Sequence, residues 1–310
     1  MAEVSAGMVK DLRDKTCAGM MDCKKALAET AGDVESAIDW LRKKGLSKAA
    51  KKAGNVAAEG LVGLTVHGHT GAIVEVNSQT DFVARNEEFQ AMVAQIAKLA
   101  PGANGDVGKL GKTPFPGAGH DIEGQVAALS GKIGEKMTLR RTAAVHASPG
   151  IVASYIHNAP PGVSNLGKIG VLVALKSSGD TEKLAALGRQ IAMHVASDKP
   201  IALTADQVDP AVNEREKAIF AEQSRASGKP DNIIAKMVEG RLRKFYEEVV
   251  LLNQKFIMDP DKTVESVLKA SEKDIGAPVS IAGFVCYVLG EGIQKEETDF
   301  AAEVAAAAKS

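Results

Sequence analysis

The sequence predicts an α+β protein with antiparallel sheets, assembled from several units, and three observations predict it. The hydrophobic period switches from helical to alternating near residue 60. A pattern of two strands followed by a helix occurs twice along the chain. Two long helical segments interrupt its second occurrence. At 310 residues the chain is also too long for one core, since cores divide into units of roughly 100–150 residues.

Residues 1–54 read as a small helical module. Ser5 suits the start of a first helix carrying Val9 and Leu12. A second helix runs from near Asp22 to Thr30-Ala31, where Gly32 suits a C-terminal cap. A third follows Asp33 and places Val34, Ile38 and Leu41 on one face before Gly45. Such a module buries little surface and suits docking. Arg42, Lys43, Lys44, Lys48, Lys51 and Lys52 then form a basic run with no acid between them. It reads either as a solvated face or as a patch for an acidic partner or RNA.

Residues 55–147 form the first α+β unit. Leu61–His67 and Ala72–Val76 read as strands, with Gly68-His69-Thr70-Gly71 as the hairpin turn. Phe89, Met92, Val93, Ile96 and Leu99 stripe a helix. A further helix is expected over 121–134 and a strand from Met137 to Val145. The stretch 101–119 reads as a Gly/Pro-rich loop, as does 159–167.

The second unit is divided between 148–204 and 251–290. Ile151–His157, Ile169–Leu175 and Val279–Leu289 are strand-like, and Leu184, Leu187, Ile191 and Val195 mark a helix. Between the two parts, 205–250 holds helical patterns at 210–226 and 231–250, broken at Gly228-Lys229-Pro230. They read as a protruding antiparallel helical hairpin. Residues 291–310 form a C-terminal helical module, with its helix near 298–308.

Composition narrows function. Net charge is −1, so no overall field draws the chain to nucleic acid or an anionic membrane. Aromatics make up 4%, too few for base-stacking platforms. Cys17, Cys23 and Cys286 fit a reducing compartment better than a disulfide framework. The start, Met1-Ala2-Glu3-Val4-Ser5, lacks the form of a signal peptide, and a cytoplasmic location is expected.

Enzyme-like signals fail on geometry. Gly111-Lys112-Thr113 resembles the end of a phosphate loop, but Gly105 stands one residue too far away and Pro114 follows at once. Gly290-Glu291-Gly292 lacks a third glycine, because position 295 is Lys. Neither Cys17/Cys23 nor His67/His69 has a second pair of zinc ligands nearby in sequence. No Gly-x-Ser-x-Gly occurs. No metal or cofactor is expected, and the chemical inventory points to binding rather than covalent chemistry.

The segment from Asn77 to Phe89 joins a strand to a helix, and Thr80, Asp81 or Asn86 each suits its cap. Phe82 sits in a polar stretch. It reads either as a hydrophobic staple on its own helix or as an exposed acid–aromatic tip.

The run Gln79-Thr80-Asp81-Phe82-Val83-Ala84-Arg85-Asn86 resembles the signature of the elongation factor Ts family. So do Gly19–Leu27, Lys51–Ala57, Ile191–Ala196 and Glu297–Val304, in order over nearly the whole chain. Cys17 stands where that family usually has Gly, and no function attaches to it. The resemblance implies a ubiquitin-associated-like N-terminal module, a core of two related α+β subdomains, a helical hairpin that is a coiled coil, and a C-terminal helical module. It implies a guanine-nucleotide exchange factor that binds elongation factor Tu, both GDP-bound and nucleotide-free, and promotes GDP release.

The resemblance also implies site residues. Asp81 and Phe82, flanked by Thr80 and Val83, would enter the partner's nucleotide-binding domain near the Mg²⁺ side. Ile133-Gly134 and His157 would be further contacts, against plain helix-end packing and a bystander surface histidine. Ile257-Met258 would extend an apolar contact or serve only the core. Lys24 would pair with acids on the partner or stand idle. Thr298-Asp299-Phe300 repeats the tip before the last helix. Direct nucleic-acid or membrane binding is not expected, and dimerisation through the hairpin is left open. The competing reading, an RNA-associated ribosomal accessory protein, rests on the basic run alone.

Overall fold

The computed structural model describes residues 4–16, 18, 20–43, 56–225 and 230–294. Most of the basic run, the helix expected near 298–308, Thr298-Asp299-Phe300 and Cys17 lie outside them. The chain divides into two compact units. One comprises Met1–Gly63, Val74–Thr142 and Val288–Ser310; the other comprises Leu64–Ile73 and Ala143–Tyr287.

In the first unit, α1 (Ala6–Thr16), α2 (Met20–Glu29) and α3 (Val34–Lys43) bury Leu12, Cys23, Ala26, Leu27, Ala37 and Leu41 together. Local chemistry sets their ends. Ser5 Oγ accepts from Met8 N–H at 3.3 Å, and Asp33 Oδ1 accepts from Ser36 N–H at 2.7 Å. Gly32, at φ +86°, sends its N–H to Leu27 O and closes α2. Within this unit α1 packs on α7 (Ile122–Ile133).

Strands β1 (Glu59–His67) and β2 (Thr70–Ser78) form a hairpin closed by two residues, Gly68 and His69, so the turn is shorter than the four expected. Gly68 takes φ +56°, as such tight turns require. Then come α4 (Asp81–Ala84), α5 (Glu87–Leu99) and, past α7, β3 (Met137–His146). Phe89, Met92, Val93 and Ile96 of α5 are buried, as their stripe predicts.

The stretch 101–119 is not a plain loop. It holds a 3-10 turn (Ala100–Ala103) and α6 (Val107–Gly111), capped by Asp106 and anchored by fully buried Leu110. Gly111-Lys112-Thr113 stands at the end of that helix rather than its start. Lys112 Nζ meets Glu123 at 2.6 Å.

A buried carboxylate organises the first unit. Glu75 on β2 has no exposed side-chain surface and bonds Arg140 Nη1 at 2.9 Å and Arg141 Nε at 2.5 Å. Asn77 Nδ2 (3.0 Å) and Gly290 N–H (2.8 Å) complete its shell. Burial pushes this carboxyl up. The hydrogen bonds from Gly290, Asn77, Arg141 and Arg140 outweigh that push and hold it below the usual 4.5.

In the second unit, β4 (Gly150–His157), β6 (Ile169–Lys176) and β9 (Ser280–Val288) form a sheet in that order. β4 and β6 are antiparallel, with Gly150 opposite Lys176 and His157 opposite Ile169. The two-residue β5 (Leu166–Gly167) borders β1 in a second sheet, ordered β3-β2-β1-β5. Helix α8 (Thr181–Asp198) packs on β4 and β6. Gly188 permits the approach: a Cβ there would stand 2.5 Å from Ala153 Cβ. Val171, Val173, Leu175, Leu184 and Ile191 fill the core.

Helices α9 (Pro210–Arg225) and α10 (Asp231–Val249) lie side by side. Tyr246 Oη donates to Asn213 Oδ1 at 3.1 Å, and Arg241 donates to Gln223 Oε1. As the residue number of the bonded partner rises on one helix it falls on the other, so the two run in opposite directions. Sequence reading assigned no element to 251–278, which holds β7 (Lys255–Phe256), β8 (Asp259–Thr263) and α11 (Val264–Ile275). Among the described residues no helix is long and apolar enough to cross a membrane.

Glu75→Gln removes the charge that two guanidiniums face. The expected loss is about 3 kcal/mol, the low end for a broken buried pair, because both arginines keep about a quarter of their surface in water. A depressed carboxyl binds fewer protons folded than unfolded. Its contribution is therefore whole above pH 4.5 and drains away as pH falls through the lower folded-state value. Urea denaturation from pH 7 to pH 3 should show this slope in wild type, and a weaker one in Glu75→Gln.

Candidate functional site

The expected tip stands where β2 ends. Helix α4 is only four residues long and is followed by α5, whose cap is Asn86: its Oδ1 accepts from Phe89 N–H at 3.1 Å. Phe82 is 72% exposed, so it is not a staple folded onto its own helix. Val83, by contrast, is buried and anchors the short helix. Asp81 Oδ2 meets Arg85 Nη2 at 3.0 Å, one helical turn on, and the Arg85 guanidinium carbon lies 5.9 Å from the centre of the Phe82 ring.

Thr80 occupies the cap position of α4 without capping it. It donates instead to a distant carboxylate. Its N–H reaches Glu135 Oε2 at 3.0 Å and its hydroxyl reaches Glu135 Oε1 at 2.8 Å. Glu135 directly follows Ile133-Gly134. Gly134 caps α7 at φ +83°, its N–H on Ser130 O at 2.9 Å, and Ser130 Oγ donates to Glu135 O at 2.6 Å. Two segments 55 residues apart in sequence are thus tied together: the tip at 80–82 and the end of α7 with half-buried Ile133.

Sequence reasoning missed Glu135, because nothing local to it signals a partner 55 residues away. It passed over the Asp81–Arg85 pair as well, although a spacing of four on a helix is a local signal for one. Lys24 is exposed on α2, and among the described residues no hydrogen bond or ion pair joins it to the tip.

The remaining expected residues belong to the second unit. His157 is exposed at the end of β4, and its Nδ1 pairs with Tyr155 Oη at 3.0 Å. Ile257 and Met258 form the turn between β7 and β8, 44% and 47% exposed. Phe256 beside them is buried against the His194 ring at 5.7 Å. The Ile257 N–H donates to His194 Nδ1 at 3.3 Å.

No group of three or more His, Cys, Asp or Glu among the described residues is placed to hold a metal ion. What the site offers is an exposed aromatic beside a carboxylate, on backbone fixed by hydrogen bonds to the half-buried Glu135 carboxylate.

A family model described as Elongation factor TS matches residues 79–291, a span that opens one residue before Thr80. The chain belongs to the elongation factor Ts family. Elongation factor Ts of Sinorhizobium medicae (strain WSM419) is 58% identical over 306 residues, covering 99% of each chain. That of Parvibaculum lavamentivorans is 58% identical over 309 residues and 100% of each chain; that of Maricaulis maris is 60% identical over 311 residues and 99% of each. The elongation factor Ts likeness therefore extends past the matched span to the helices of residues 6–43, where Lys24 stands.

Glu135→Ala strips the acceptor from both Thr80 donors. A hydrogen bond to a charged group is worth roughly 1.5–3 kcal/mol. The Thr80 amide should then exchange with solvent at least about tenfold faster, the equivalent of 1.4 kcal/mol. Thr80→Val keeps the N–H bond and should give a smaller change. Amide hydrogen exchange followed by NMR reads both.

Proposed function

We propose that this chain is a guanine-nucleotide exchange factor. It binds elongation factor Tu·GDP, disturbs the Mg²⁺ and phosphate site, and promotes GDP release so that GTP can bind during protein synthesis. The observation that carries the reading is the exposure of Phe82 on backbone held by Thr80 and Glu135, in a member of the elongation factor Ts family. An exposed, pre-positioned aromatic spends little conformational entropy on binding and buries a large area when it does.

The partner holds GDP through phosphate contacts and a Mg²⁺. An exchange factor must prefer the state in which that site is distorted, because only differential affinity shifts an equilibrium. Phe82 acts as the steric wedge between switch-region side chains, and Asp81 supplies a negative field that disfavours metal and phosphate. Thr80 and Val83 hold the wedge. Ile133-Gly134, His157, Ile257-Met258 and Lys24 are the further contacts. By linkage, nucleotide weakens the factor's binding by the same ratio.

In this reading 1–54 is a ubiquitin-associated-like docking module, and 55–147 and 148–204 with 251–290 are the core subdomains. The hairpin is 205–250 and the C-terminal module 291–310. The factor performs no covalent step, needs no cofactor, does not bind nucleic acid directly, and works in the cytoplasm.

Release of a fluorescent GDP analogue from elongation factor Tu tests the reading. Wild type should speed release, and Phe82→Ala should lose at least about tenfold, some 1.4 kcal/mol of differential binding. No acceleration by wild type overturns the assignment. Full activity in Phe82→Ala overturns the wedge.

A further inference from the structure

We propose that His194, although buried and remote in sequence from the contact residues, is the positioning residue that presents the Ile257–Met258 turn to the GTPase. The inference rests on the reading that this turn docks the partner.

The argument begins at Gln254. Its Nε2 donates to two backbone carbonyls, Glu248 O at 2.7 Å and Asp198 O at 3.3 Å. A side-chain amide that donates twice must present its oxygen on the other side. That oxygen, Oε1, lies 3.0 Å from His194 Nε2. Two acceptors cannot share a hydrogen bond, so Nε2 carries the proton. Neutral imidazole then leaves Nδ1 as an acceptor, and the group aimed at it is Ile257 N–H at 3.3 Å.

The relay has one consistent assignment of protons from end to end. It ties the end of α8 (Asp198) and the end of α10 (Glu248) to the one backbone amide that opens the β7–β8 turn. Both His194 and Gln254 are buried, so water cannot replace a lost partner cheaply. Phe256 packs on the imidazole, which fixes the residue before the turn as well. Ile257 and Met258 themselves point outward, roughly half exposed, with His194 behind them.

Two substitutions separate positioning from packing. The Asn amide places a polar atom near the position of imidazole Nδ1, and the Gln amide places one near Nε2. His194→Asn can keep the acceptor for Ile257 N–H while losing Gln254. His194→Gln can keep Gln254 while losing that acceptor. Both shrink or reshape the same buried site, so a purely structural role predicts similar losses.

The full-length chain would be titrated against elongation factor Tu carrying a fluorescent GDP analogue. Half-saturation and maximal release rate would be read separately, with urea denaturation of each variant alongside. The double variant Ile257→Ala/Met258→Ala should raise half-saturation about tenfold and leave the maximal rate within about twofold. His194→Gln should do the same, and His194→Asn should stay within about threefold of wild type. Adding His194→Gln to the double variant should cause little further rise. If the double variant leaves half-saturation unchanged, the turn is not a docking contact and the proposal falls with it. If the double variant acts but Asn and Gln at 194 weaken docking equally, or in step with their loss of stability, the positioning role alone is overturned.

Discussion

The constraint on which the first unit depends is the pairing of buried Glu75 with Arg140 and Arg141. A buried charge without partners is strongly unfavourable, so β2 and β3 can meet only where those arginines arrive. The consequence extends beyond the strands. Thr80 lies five residues after Glu75, and Glu135 lies five before Arg140. With equal offsets on the two neighbouring strands, the pairing that satisfies Glu75 brings Thr80 to Glu135, past the end of β2 and before the start of β3. The exposed tip inherits its place from a buried ion pair in the same two strands. Gly290, whose N–H also reaches Glu75, ties the chain after β9 to the same point.

The periodic elements were legible in the sequence. The stripe of Phe89, Met92, Val93 and Ile96, the apolar run of β6 and the paired helical patterns after 210 each fall where the structure has them. So did the caps at Ser5 and Gly32, since capping is a local exchange of hydrogen bonds. What escaped reading was short or non-local. The two-residue β7 shows no period at all, and α11 follows five residues of β8 with no breaker between them. The stretch 101–119 looked like loop because its glycines and prolines outnumber its anchors. Buried Ala103 and Leu110, an aspartate cap and the Lys112–Glu123 pair hold it in place.

The same distinction separates the site residues. Asp81 and Phe82 declare themselves, because an acid beside an aromatic in a polar stretch is a local signal. Glu135, Gln254 and His194 do not. Each acts through a partner far away in sequence, by a hydrogen bond whose meaning depends on burial. His194 in a helix with apolar neighbours reads equally as an inert core residue. The two carbonyls on Gln254 and the Ile257 N–H together decide which of the imidazole nitrogens carries the proton.

Magnitudes decide whether the tip can work as a wedge. Arg85 holds Asp81 and lies over Phe82, so the proposed entry into a partner would first release that contact. Both side chains are well exposed, and an exposed i, i+4 pair is worth only about 0.3–0.5 kcal/mol. Burying a phenylalanine side chain yields roughly 1.5–3 kcal/mol. The release costs a fraction of what burial returns, and Asp81 leaves with its charge free for new contacts. A deeper pairing of Asp81, of the kind Glu75 makes, would reverse that balance and leave the tip ordered but inert. Under the proposed wedge role, strong electrostatics therefore belong behind the tip, where they set its position, and weak electrostatics belong on it, where they would have to give way.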